Sequence, residues 1–158
     1  MIFEGTIKDN VTMSVTNASD EEVFHALKTA RMADFVNSHK EGLYYGLSQS
    51  GANLSGGQKQ RINIARTIFK KSSVYIFDDS FSALDFLTES KLRRAMGVEL
   101  KGKTQIIITQ RISTAIRSDK IFVMADGKVV GEGKHEELIN TCDIYKEIYA
   151  SQMGEVRK

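Results

Sequence analysis

The sequence predicts an α/β domain with a mostly parallel sheet and flanking helices, joined to an α-helical subdomain. Three observations carry that expectation. Short β-branched and aromatic runs, Val74–Phe77, Ile106–Ile108 and Ile121–Met124, alternate with segments of helical periodicity. The first third of the chain has helical spacing and no comparable run. The pattern switches abruptly after Ser73. The expected organisation is therefore a helical subdomain over residues 1–72 and the C-terminal part of a sheet-containing core over 73–158.

The elements follow in order. Ser19 with Glu22 three residues on forms a capping box, and Val23, Ala26, Leu27 and Ala30 continue at helical spacing. Residues 42–57 hold five glycines among serines and an asparagine and read as loop. A helix is expected from about Ser55 to Lys71, with Ile64, Ala65 and Ile68 as its apolar stripe. The three short runs read as buried strands, with a helix between the first two, from Phe86 to about Met96. Ala125-Asp126-Gly127-Lys128 is a hairpin turn returning into Val129-Val130. Two short helices finish the chain, the last with Ile144, Tyr145, Ile148 and Tyr149 on one side.

Composition excludes several classes. A net charge of +2 lacks the concentrated basic face of a nucleic-acid binder, so no nucleic-acid partner is expected. The single cysteine, Cys142, rules out an internal disulfide and suits a reducing compartment. Its simplest role is a small core filler. The apolar runs are too short to span a bilayer, and the opening Met1-Ile2-Phe3-Glu4-Gly5 has no basic or long apolar stretch of a signal peptide. His135 stands at a helix start without a paired ligand, so zinc is not expected.

Leu54-Ser55-Gly56-Gly57-Gln58, followed by Lys59-Gln60-Arg61, is a glycine loop opening a helix. Backbone N–H groups and the dipole at such an end favour an anion, and glycines let the backbone approach phosphate oxygens. Ser55 adds a hydroxyl donor. The same residues also read as a plain helix cap. One helix later, Val74–Phe77 delivers Asp78 and Asp79 at the strand's C-terminal end, the edge where α/β folds hold ligands. Ser82-Ala83-Leu84-Asp85 follows directly.

Together these segments resemble the signature motif, Walker B strand and D-loop of ABC (ATP-binding cassette) ATPases, in the family's order and spacing. Phe3–Ile7 with Asn10 resembles the segment after the Q-loop in exporters. Gly102-Lys103-Thr104, the isoleucine run and Arg111–Thr114 resemble the switch region. Gly127–Val130 and His135–Leu138 resemble the C-terminal hairpin and helix.

The resemblance implies part of a P-loop NTPase domain of ABC type, with ATP and Mg²⁺ as ligands. It implies Ser55, Gly56, Gly57, Gln58 and Asp85 as nucleotide and cross-dimer contacts, although Asp85 also reads as a simple N-cap. Asp78 would serve Mg²⁺ through water, and Asp79 and Gln110 would stand at the catalytic positions. It implies a second nucleotide-binding domain and a transmembrane domain as partners, at the cytoplasmic face of the cell membrane. The family's own phosphate loop is expected upstream of Met1. Gly97–Thr104 matches the P-loop pattern letter for letter, but it follows a helix and opens a strand, the reverse of a working loop.

Three positions depart from the family. Asp79 stands where a glutamate is usual, one methylene short, and a general base must reach its proton. Gln110 stands where the switch histidine is usual; it can donate a hydrogen bond but cannot become cationic. Gln49 replaces a glutamate two residues before Gly51. Asp79 with Gln110 resembles the degenerate half of heterodimeric exporters, whose partner is a different, catalytically complete chain. The competing readings are a soluble non-transport ABC ATPase and a non-catalytic regulatory cassette. The first of these would need basic or coiled-coil insertions, which the sequence lacks. Residues 1–158 carry no P-loop lysine in working context, so no ATPase is expected from them alone.

Overall fold

The computed structural model describes residues 1–13, 15 and 17–154, in two compact units, Met1–Ile106 and Ile107–Lys158. The first unit opens with β1 (Gly5–Thr6) and α1 (Ile7–Thr12), where Thr6 and Asp9 form a reciprocal capping box. Next come α2 (Asp20–Thr29), whose N-cap Ser19 accepts from the Glu22 amide, and α3 (Ala33–Asn37). β2 (Gly46–Leu47) pairs antiparallel with β1. The glycine-rich stretch is thus not all loop. It holds this strand and two single-turn helices, Gly42–Tyr44 and Gln49–Gly51. Each is too short to leave a periodic signal.

α4 (Gly56–Phe69) is the hub of this unit. It packs against α1 and α2, burying Ile62, Ile64, Ala65 and Ile68. β3 (Val74–Asp78), α5 (Phe86–Glu99) and β4 (Thr104–Ile108) follow, and β3 pairs with β4.

The strands depart from the expectation of full burial. Along β3, Tyr75 and Phe77 are buried, while Val74 and Ile76 are 51% and 61% exposed. Ile106 and Ile108 on β4 are also exposed. A strand alternates its side chains between two faces, and one face here has no covering layer among the described residues.

The second unit holds α6 (Ile112–Ala115), β5 (Ile121–Ala125), β6 (Lys128–Gly133), α7 (His135–Thr141) and α8 (Asp143–Met153). β5 and β6 form the expected antiparallel hairpin. Asp126 and Gly127 both take positive φ, 48° and 73°, as a two-residue turn matching strand twist requires. Its core is Ile112, Ile121, Val123, Leu138, Cys142 and Tyr145. The Cys142 thiol is a buried filler against Gly131. His135 meets the Tyr145 hydroxyl at 3.0 Å, so its ring nitrogen serves an internal hydrogen bond. Among the described residues no helix is long and apolar enough to cross a membrane, and no group of three or more His, Cys, Asp or Glu could hold a metal ion.

Candidate functional site

The Ser55–Gln58 segment is built by a reciprocal cap. Ser55 Oγ accepts from the Gln58 amide at 3.2 Å, and Gln58 Oε1 accepts from the Ser55 amide at 2.8 Å. The first hydrogen bond of α4 runs from the Lys59 amide to the Ser55 carbonyl. The Gly56 and Gly57 amides therefore have no carbonyl four residues back and stand at the positive end of the helix dipole. The Ser55 hydroxyl hydrogen remains to donate. Capping and anion binding are compatible uses of one segment, and its donor set fits phosphate oxygens.

Gly57 has a second reason to lack a side chain. A Cβ there would lie 3.1 Å from the Ala83 carbonyl oxygen and 3.3 Å from Leu84. The helix end sits directly on the loop that leaves β3.

That loop begins at Asp78 and Asp79, both exposed at the C-terminal end of β3. Asp79 is in the left-handed region, φ 44°, which aspartate tolerates better than most residues. Its carbonyl accepts from the Ser82 amide at 3.3 Å and the Ser82 hydroxyl at 3.0 Å, closing a tight turn. Ser80 Oγ donates to the Asp78 carbonyl. Two carboxylates alone do not close a cation site; a bound ion would take its remaining ligands from water and from phosphate oxygens. Asp85 is the N-cap of α5, accepting from the Thr88 amide at 2.9 Å. Hydrogen bonds from Thr88 hold its carboxyl below the ordinary carboxylate range.

Three side chains of α4, absent from the sequence-based site, tie this region together. Gln60 donates to Ser82 Oγ at 2.9 Å and to the Asp79 carbonyl at 3.3 Å, and accepts from the Ala83 amide at 2.9 Å. Arg61 donates to the Arg31 carbonyl at 2.7 Å. Burial lowers its guanidinium pKa, and the nearby Asp85 charge opposes that. Arg66 donates to the Asn10 carbonyl at 2.7 Å and the Met1 carbonyl at 3.0 Å, and its guanidinium lies over the Phe3 ring. Asn10, buried, bridges back to Phe3 and Thr6. Gly57, Gln60 and Arg61 are spaced i, i+3, i+4, so they share one helix face, and that spacing was the available signal.

Gly97–Glu99 complete α5 and Thr104 opens β4, so the P-loop look-alike is a helix-to-strand turn. Gln110 lies in the second unit, where its carbonyl accepts from Gln152 at 2.7 Å. Asp78, Asp79, Asp85 and Ser55–Gln58 all belong to the first.

Residues 1–82 match the ABC transporter family. The chain belongs to that family. An ABC transporter ATP-binding protein of Bacillus subtilis, YfiB, is 43% identical over 154 residues, which is 98% of this chain and 26% of that protein. An ATP-dependent lipid A-core flippase of Francisella tularensis is 40% identical over 95% of this chain and 25% of its own length. The structure of a bacterial Atm1-family ABC exporter with ATP bound superposes with a TM-score of 0.91 at 35% identity, over 99% of this chain and 27% of the other. The chain thus spans about a quarter of the length of these relatives. Its fold is part of the mixed α/β ATPase domain of ABC proteins, helical signature segment included.

Proposed function

We propose that this chain is the C-terminal part of the cytoplasmic ATP-binding domain of an ABC exporter, which couples ATP binding and hydrolysis to export of a substrate across a membrane. The observation that carries the reading is the seating of the Ser55–Gln58 helix end on the Asp79–Asp85 loop. It joins a phosphate-competent amide cluster to a carboxylate pair at a strand end. The exporter and flippase named among the relatives support the transport assignment.

In this reading the Ser55 hydroxyl, the Gly56 and Gly57 amides and Gln58 face phosphate oxygens of a nucleotide held by a second nucleotide-binding domain. Asp85 contacts that domain. Asp78 holds Mg²⁺ through water in the chain's own site, and Asp79 accepts a hydrogen bond from the attacking water. Gln110 donates to a phosphate oxygen. Bound Mg²⁺ supplies neutralisation of the phosphate charge. Asp79 is shorter than glutamate and Gln110 cannot take up a proton, so the chain's own site turns over slowly. The partner is then a different, catalytically complete chain, and both sit at the cytoplasmic face of the membrane beneath transmembrane domains.

The test is ATPase activity of the intact pair reconstituted in lipid. Asp79→Asn is expected to lower turnover only slightly, while removing the partner's glutamate leaves only the slow residual turnover of this chain's own site. Equal losses would show that Asp79 is as necessary as the partner's glutamate and would overturn the assignment of a slow site.

A further inference from the structure

The Gln60 amide joins the helix end that follows Ser55 to the turn that carries Asp79. It lies on α4 one turn after Gly57 and uses both ends at once. Its nitrogen donates to Ser82 Oγ and to the Asp79 carbonyl, and its oxygen accepts from the Ala83 amide. The Asp79 carbonyl also receives the Ser82 amide and hydroxyl, so the Gln60 side chain ties the turn carrying the carboxylate to α4. At Gly57 there is no room for a side chain between the helix end and the Ala83 carbonyl. No compressible layer separates the two segments. A side-chain amide is the group that can both donate and accept here; a carboxylate loses the donor, and an alkyl chain loses both.

We propose that Gln60 is a positioning residue that makes the Ser55–Gln58 loop and the Asp78–Asp79 turn move as one body. This rests on the functional reading above. If Ser55–Gln58 grips the partner's nucleotide while Asp78 and Asp79 belong to the chain's own site, Gln60 carries the state of one site to the other. Asp79 is held in the left-handed region, φ 44°, and a shift of its turn by about 1 Å is enough to cost on the order of 10²-fold in a positioned reaction.

The experiment uses the full-length protein in its intact pair, with Gln60→Leu and Gln60→Glu. To make this chain's own site report, the partner's glutamate is removed in every arm. ATP affinity, kcat, KM and hydrogen exchange of residues 79–84 with and without ATP are measured. For Gln60→Leu we expect ATP affinity within about twofold of the parent and kcat lower by about tenfold or more. Exchange at 79–84 should be faster and should no longer change when ATP is added. Gln60→Glu keeps the acceptor for Ala83, so its exchange protection should persist while kcat still falls, because the donor to the Asp79 carbonyl is gone. An unchanged kcat together with an intact ATP response of exchange in Gln60→Leu overturns the proposal. Should the leucine variant unfold, Gln60→Glu decides: parental kcat in that variant overturns it as well. Absence of ATP binding in the parent pair itself refutes the functional reading instead, and the parent arm separates the two failures.

Discussion

α4 and β3 are neighbours in sequence and opposites in how they are completed. α4 finds its partners inside the chain: α1 and α2 on its apolar side, the Asp79–Ala83 turn through Gln60, Arg31 through Arg61, and Met1 and Asn10 through Arg66. β3 finds half of its own. Phe77 is 1% exposed and packs at 5.8 Å from the Phe81 ring, while Ile76, one residue earlier, faces outward. Sheets in α/β folds are covered on both faces, and the family relatives are about four times as long as this chain. The α4 region is therefore locally self-sufficient, whereas the strand that delivers the carboxylates belongs to a layered core that these residues only half build.

Truncating the two faces of β3 in turn separates its covered face from its open one. Phe77→Ala should cost about 3–5 kcal/mol in denaturant unfolding of the chain. Ile76→Ala should fall within about 0.5 kcal/mol of the parent. In the full-length protein the same Ile76→Ala should cost about 2 kcal/mol or more, because a covered isoleucine then loses its packing. Equal costs at the two positions in the chain alone would show that β3 has no open face.

Arg66 tests the other half. Arg66→Ala leaves the Asn10 and Met1 carbonyls without their charged donor, and about 2 kcal/mol of stability should go with it. Arg66→Lys should recover part of the loss, since an ammonium reaches fewer acceptors than the guanidinium fork. Full recovery would reduce Arg66 to its charge. No effect of either change would show that α4 is held by its apolar side alone.

How much of this was legible in the sequence follows from the range of each interaction. The Ser55–Gln58 cap, the Asp85 cap and the Asp126-Gly127 turn are local, and their residues announce them. The reversed context of Gly97–Thr104 was legible for the same reason, because a helix precedes it and a strand follows. Gln60 reaches turns some twenty residues away, and Arg66 reaches back more than fifty to segments with no periodicity of their own. Such pairs leave at most a helix-face spacing to find. The open face of β3 was illegible because an apolar run such as Val74–Phe77 reads the same whether one or both faces are covered.

The smallest effect is electrostatic and confined to the first unit. Asp9, Asp20, Glu22 and Asp85 all titrate below their ordinary values, held down chiefly by hydrogen bonds from Thr6, Lys8, Lys71 and Thr88 respectively. Folding favours their ionised forms. Each therefore adds stability above its unfolded pKa, 3.8 for the aspartates and 4.5 for the glutamate, and that contribution fades as pH falls through the lower folded value. Melting followed by circular dichroism should be flat from pH 7 to about 5 with respect to these groups and fall below about 4.5. The four groups are largely solvated, so the drop should be modest. Added salt should weaken the share owed to the Lys8–Asp20 and Lys71–Glu22 pairs, 2.6 and 2.7 Å long, and spare the capping bonds of Asp9 and Asp85. A fall that begins well above pH 5 would show that groups other than these four set the acid limb.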